Sequence, residues 1–174
     1  MEKLLLKTQL TFDNCRQHLE ESNAWNSQIE SYLIQHVLIV LCADVQQEIY
    51  KVVEKRVDLV DDKVLKNFAV SACKKVLRSI GKKEISKFVG YFGNDAKSHL
   101  NNQIDDPIVA VYSNAVLSRH DVAHSSGSNI TFRELEKSID AAKKVISAVS
   151  QAISLNAEVK TDNILKETTH APKW

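Results

Sequence analysis

The densest group of chemically competent side chains is Arg119-His120-Asp121-Val122-Ala123-His124, which holds an arginine, a carboxylate and two of the six histidines. A histidine with an unperturbed pKa near 6.5 gives and takes protons around neutral pH. An arginine keeps its charge at any working pH, and its planar fork suits a phosphate or a developing oxyanion. Arginine with histidine and no carboxylate cluster is a set for metal-free phosphodiester cleavage. The window follows an apolar series, Ile108, Val111, Tyr112, Ala115 and Val116, so it is predicted to end a core helix, with Val122 and Ala123 turning one side inward. His120 and His124 share a helix face at i and i+4. Arg119 and His124, at i and i+5, point about 140° apart on an ideal helix. They can meet on one substrate if the helix frays near His124, or if two chains pool their residues. The negative end of the helix dipole favours the charged form of His124 there. The same residues also read as surface charges and helix-end cations with no chemistry at all.

A second feature is charge asymmetry. Between Lys63 and Phe88 stand eight basic residues (Lys63, Lys66, Lys74, Lys75, Arg78, Lys82, Lys83 and Lys87) against one acidic residue, Glu84, whereas Asp44 to Asp62 leans acidic. A local excess of this kind can track a nucleic-acid backbone, with Lys74, Lys75, Arg78, Lys82, Lys83 and Lys87 as the expected contacts; a solvated helix face is the alternative. His120-Asp121-Val122-Ala123-His124 is also similar to H-E-x-x-H, with the shorter Asp for Glu. No third ligand is evident, since His18, His36, His99 and His170 are scattered, and neither a metal nor a cofactor is expected. His36 reads as a core histidine, Cys42 and Cys73 as small core residues, and Trp25 as a packing anchor.

The elements that must position these residues read as helices. The first is expected over Glu2 to about Glu21, followed by a polar break at Ser22–Asn26. A long helix runs from Ser27 to about Val57, where Ile29, Leu33, Val37, Val40, Leu41 and Val45 keep the helical period. Asp61 or Asp62 caps a third, with Val64, Leu65, Phe68, Ala72, Val76, Leu77 and Ile80 on its apolar side and Gly81 as its stop. Short helices broken at Gly90 and Gly93 fill 82–103. Asp106 as cap and Pro107 at the first helical position open the helix that carries the Arg–His window. Thr131 and Glu134 have capping-box spacing, flanked by an Ile130–Leu135 staple, and start a closing helix that lasts to about Glu158. The expected arrangement is therefore one domain over 1–158 and a polar, mobile tail over 159–174.

Composition agrees. Average usage would give about 21 Gly plus Pro in this length, whereas the chain has 4 Gly and 2 Pro in 174 residues. Sandwiches, propellers, Rossmann folds and P-loop folds need more, and an all-α helical bundle is expected. Hydrophobic content of 44% supports a core, and a net charge of +1 excludes a uniformly basic binder. The three cysteines form no C-x-x-C and no disulfide framework, which points to a reducing cytoplasm. The start of the chain lacks a signal h-region, and the apolar run Val37–Ala43 is too short to span a membrane.

In this order of elements, Arg119-His120-Asp121-Val122-Ala123-His124 resembles the R-x4-6-H signature of HEPN domains, where a polar residue, here His120, follows the arginine. The long early helix, the basic middle, Phe92-Gly93 and the closing helix agree over about residues 20–155, and the likeness is nearest to the RiboL-PSP type. The resemblance implies a bundle that forms a homodimer through the motif helices, with two copies of Arg and His lining one cleft. It implies metal-independent endoribonuclease activity: His124 as general acid/base on the 2′-OH or leaving oxygen, Arg119 on the scissile phosphate, His120 orienting it, Asp121 and Ser118 supporting, and a 2′,3′-cyclic phosphate product. It further implies RNA as substrate and an antitoxin or defence-system protein as partner, in a toxin–antitoxin or antiviral role. Some members are non-catalytic modules that bind RNA, nucleotide or a protein, which is the alternative function.

Overall fold

The computed structural model describes residues 4–123 and 130–168, with side chains described over 4–119 and 130–154. Among the described residues the chain is all helical: α1 (Leu6–Glu21), α2 (Gln28–Val57), α3 (Lys63–Val76), α4 (Lys82–Gly90), α5 (Asn94–Gln103), α6 (Asp106–Ala123) and α7 (Phe132–Thr168). α2 and α7 pack along each other as the central pair. α1, α3 and α6 lie against α2, α5 and α6 lie against α7, and α4 packs on α5. By length and composition α2 could cross a membrane. Here it is the core helix, with Val37, Leu38, Val45 and Ile49 fully covered.

Local chemistry explains where the helices begin and end. α1 starts later than expected, and its first turn is capped from a distance: the Asp44 carboxylate on α2 accepts from the Thr8 amide at 3.0 Å and the Thr8 hydroxyl at 2.8 Å. α1 ends in a Schellman motif. Asn23 takes the left-handed conformation (φ 50°), its N–H donates to the Glu20 carbonyl, and the Ala24 N–H donates to Leu19. Ser27 caps α2 by accepting from Ile29 and Glu30. Asp62, of the two candidates, caps α3 through Val64 and Leu65.

α7 opens on the expected capping box. Glu134 accepts from the Thr131 amide and hydroxyl at 2.8 Å each, while the Glu134 N–H donates to Thr131 Oγ1 at 3.3 Å. These bonds favour the ionised carboxylate and hold Glu134 below the usual glutamate range. Phe132, its first residue, stacks on Phe12 at 4.6 Å and makes a T-shaped contact with Trp25 at 5.5 Å; Trp25, expected as a packing anchor, is 38% exposed and touches the core at this edge. α7 continues past Glu158, where the apolar period ends, to Thr168.

Four expectations are corrected. The α6 cap is Asp105, whose carboxylate accepts from the Ile108 N–H at 3.0 Å. Asp106 is the first helical residue, and Pro107, which has no N–H to offer, is the second. Gly81 does not stop α3; that helix ends at Val76, and Gly81 is the N-cap of α4. The apolar side of α3 is not buried: Val64 is 79% and Phe68 70% exposed, with Leu65 and Val76 also exposed, while Ala69, Val70 and Cys73 make the partial contact with the core. Leu77 and Ile80 are buried, but in the connector beyond the helix. Finally, His36 is exposed rather than a core residue, on an α2 face shared with Ile29, Tyr32 and Ile39.

Candidate functional site

Five residues between α3 and α4, Leu77 to Gly81, position the site. A connector that returns into the core must find partners for its backbone groups. The buried Tyr50 hydroxyl and Gln46 Nε2, both on α2, each donate to the Leu77 carbonyl at 2.8 Å. Gln46 Nε2 also donates to the Tyr50 hydroxyl at 2.9 Å. From the other side the Tyr112 hydroxyl on α6 donates to the Ile80 carbonyl at 2.6 Å. Tyr112 is fully buried, and burial, with the Cys42 thiol beside it, pushes its hydroxyl far above the ordinary tyrosine range. It is therefore a neutral, permanent donor.

The pinned connector closes a cavity of about 140 Å³ against α2 and α6. Arg78 and Ser79 line it from the connector, Cys42 and Gln46 from α2, and Arg119, with Val116, from α6; Ile39, Ala43 and Ile80 complete the wall. Among the described residues no carboxylate lines it. Arg78 donates from Nε to the Lys75 carbonyl at 3.0 Å, which ties its stem to the end of α3. Burial pushes the Cys42 thiol up to about 11, and the Arg119 guanidinium acts on it in the opposite sense. Cys42 is thus an inert thiol at neutral pH and an internal sensor of Arg119.

The residues expected to act together separate as follows. Arg119 is exposed at the mouth of this cavity. Ser118, about 100° around the helix, lines a different cavity of about 480 Å³ between α6 and α7, with Val111, Asn114, Leu117, Ile130, Glu134, Lys137 and Ser138. The supporting role expected of Ser118 is therefore not placed beside Arg119. His120 and Asp121 belong to α6, but their side chains, and His124 altogether, lie outside the described residues.

The basic segment is not one face. Lys74 pairs with Glu54 at 3.0 Å and sits over the Tyr50 ring, and Lys66 pairs with Asp58 at 2.7 Å. The acidic end of α2 thus faces part of the basic run. Lys82 donates to the Asn101 side chain at 3.1 Å. Lys75, Lys83 and Lys87 are exposed on α3 and α4. Of the six expected nucleic-acid contacts, Arg78 alone lines the cavity that Arg119 lines.

Sequence reasoning missed Gln46, Tyr50 and Tyr112. The available signal was polar atoms on apolar helix positions, Gln46 and Tyr50 at i and i+4 and Tyr112 amid aliphatic residues, since buried polar groups require partners.

Tyr112→Phe leaves the Ile80 carbonyl without its donor and is expected to cost about 1–3 kcal/mol, read as a lower denaturant midpoint; an unchanged midpoint would show that the connector is held without it. In the pH profile of Cys42 alkylation, followed by peptide mass, Arg119→Met is expected to move the titration upward, because the cation that favours the thiolate is gone. A titration identical to wild type would place the guanidinium away from the cavity. No protein-family model, curated protein or solved structure matches the chain.

Proposed function

We propose that the protein is a metal-independent endoribonuclease of the HEPN kind, acting as a homodimer whose motif helices line one composite cleft. The observation that carries this reading is the cavity at Arg119, lined by a second arginine from the basic segment and, among the described residues, by no carboxylate. Two guanidinium cations with no described acidic partner on the same wall suit a phosphodiester.

In this reaction His124 takes the proton of a ribose 2′-OH, and the freed oxygen attacks the adjacent phosphorus. The P–O5′ bond breaks, and the leaving oxygen receives its proton from the imidazolium of the second His124 in the cleft. The products are a 2′,3′-cyclic phosphate and a 5′-hydroxyl. Arg119 holds the nonbridging oxygens as charge builds on them, and His120 orients the phosphate. Pooling residues from two chains answers the angular mismatch that the i, i+5 spacing of Arg119 and His124 predicts for a single helix. Ile39, 49% exposed, lines the Arg119 cavity and offers apolar surface there for the second copy. A toxin–antitoxin or antiviral role, with a cognate antitoxin or defence protein as partner, follows from the same family likeness.

Incubation of single-stranded RNA in EDTA tests the reading. Wild type is expected to leave cyclic-phosphate ends, and Arg119→Ala or His124→Ala to lower the rate about 10²–10⁴-fold. Light scattering is expected to give a dimer. Cleavage unaffected by His124→Ala would overturn the mechanism, and a monomer at micromolar concentration would overturn the composite cleft. RNA binding without any turnover would assign the chain to the non-catalytic members instead.

A further inference from the structure

Arg78 reaches the Arg119 cavity from an element that has no part in the Arg–His motif. Its backbone position is set on both sides: the Leu77 carbonyl is held by Tyr50 and Gln46, and the Ile80 carbonyl by Tyr112. Its stem is tied through Nε to the Lys75 carbonyl, which leaves both terminal amino groups of the fork for a ligand. The side chain is exposed, and it makes no ion pair with any described carboxylate. A surface arginine with no further purpose would gain by pairing with an acidic neighbour, as Lys66 and Lys74 do close by on α3. Instead, Arg78 and Arg119 share a cavity whose other described polar side chains, Gln46, Ser79 and Cys42, carry no negative charge at neutral pH. Two permanent cations lining one cavity repel each other unless an anion lies between or along them.

We infer that Arg78 is a second phosphate-binding residue of this site, gripping the phosphodiester next to the one that Arg119 holds. The ligand is then a single-stranded RNA segment with at least two consecutive phosphates, and a lone phosphate engages half of the clamp. This inference rests on the ribonuclease reading for the role of Arg119. Its own support is that Arg78, from the connector, and Arg119, from α6, line one cavity. Arg78 binds and positions; it takes no part in proton transfer. Its loss therefore raises KM on an oligonucleotide and leaves kcat close to wild type. A dinucleoside monophosphate has a single phosphate and does not reach Arg78.

The test is binding of a non-cleavable 2′-O-methyl oligoribonucleotide, followed by fluorescence anisotropy over a range of salt. Arg78→Ala is expected to weaken binding about tenfold and to reduce the slope of log K against log salt by about 0.7, the value for one single-strand phosphate contact. Arg78→Lys, which keeps the charge and loses the fork, is expected to restore the slope and only part of the affinity. Arg16→Gln removes a charge from α1, outside the site, and is expected to change neither. An affinity and slope in Arg78→Ala equal to wild type overturn the clamp, as does an equal loss on a dinucleoside monophosphate, which would put Arg78 on the scissile phosphate. If wild type cleaves RNA while Arg78→Ala binds normally, the clamp fails and the ribonuclease reading stands. If wild type never cleaves while Arg78→Ala still loses the slope, the reading fails and the phosphate site stands.

Discussion

Two backbone carbonyls, those of Leu77 and Ile80, hold the candidate site together. Tyr50 and Gln46 fasten the first to α2, and Tyr112 fastens the second to α6. Without those bonds the connector would carry unpaired carbonyls into a dry region, at a cost of about 1–3 kcal/mol each. With them, a five-residue link becomes a strut tied to both α2 and α6. Arg78 rides on that strut, between the two anchored carbonyls. Its approach to Arg119 follows from main-chain anchoring, not from attraction between side chains, which for two cations would act the other way.

The electrostatics follow from that anchoring. On the flank formed by α2 and α3, the charges neutralise each other through Glu54 with Lys74 and Asp58 with Lys66. Exposed pairs of this kind contribute about 0–1 kcal/mol; what they do is take two lysines out of the local excess. Arg78, at the cavity, keeps its charge unpaired by any described carboxylate. Lys75, Lys83 and Lys87 remain exposed on the elements either side of the connector, where they can extend a path for a polyanion.

Much of the helical order was legible because the signals are local. Ser27, Asp62 and the Thr131–Glu134 box each satisfy a helix N-terminus within three residues, so their spacing is visible in the sequence. The cap of α1 was not legible, since Asp44 reaches Thr8 from another helix. The α6 start shifted by one residue because Asp105 and Asp106 are chemically alike and only the loop geometry chooses between them. α3 shows the limit of periodicity: Val64, Leu65, Phe68 and Val76 mark an apolar face that stays exposed, and α3 packs on α2 through Ala69, Val70 and Cys73 instead. At the site, Arg119 and Arg78 were each legible as anion-binding residues by type. Their convergence was not, because it depends on Tyr50, Gln46 and Tyr112 acting across elements far apart in the chain.

The most direct measurement is a crystal structure of the protein with a 2′-deoxy trinucleotide, which presents two consecutive phosphates and cannot be cleaved. The account expects one phosphate on the Arg119 fork and the next on the terminal amino groups of Arg78, with the Leu77 and Ile80 carbonyls still held by their tyrosines. A ligand bound elsewhere, with Arg78 and Arg119 both turned to solvent, would contradict it.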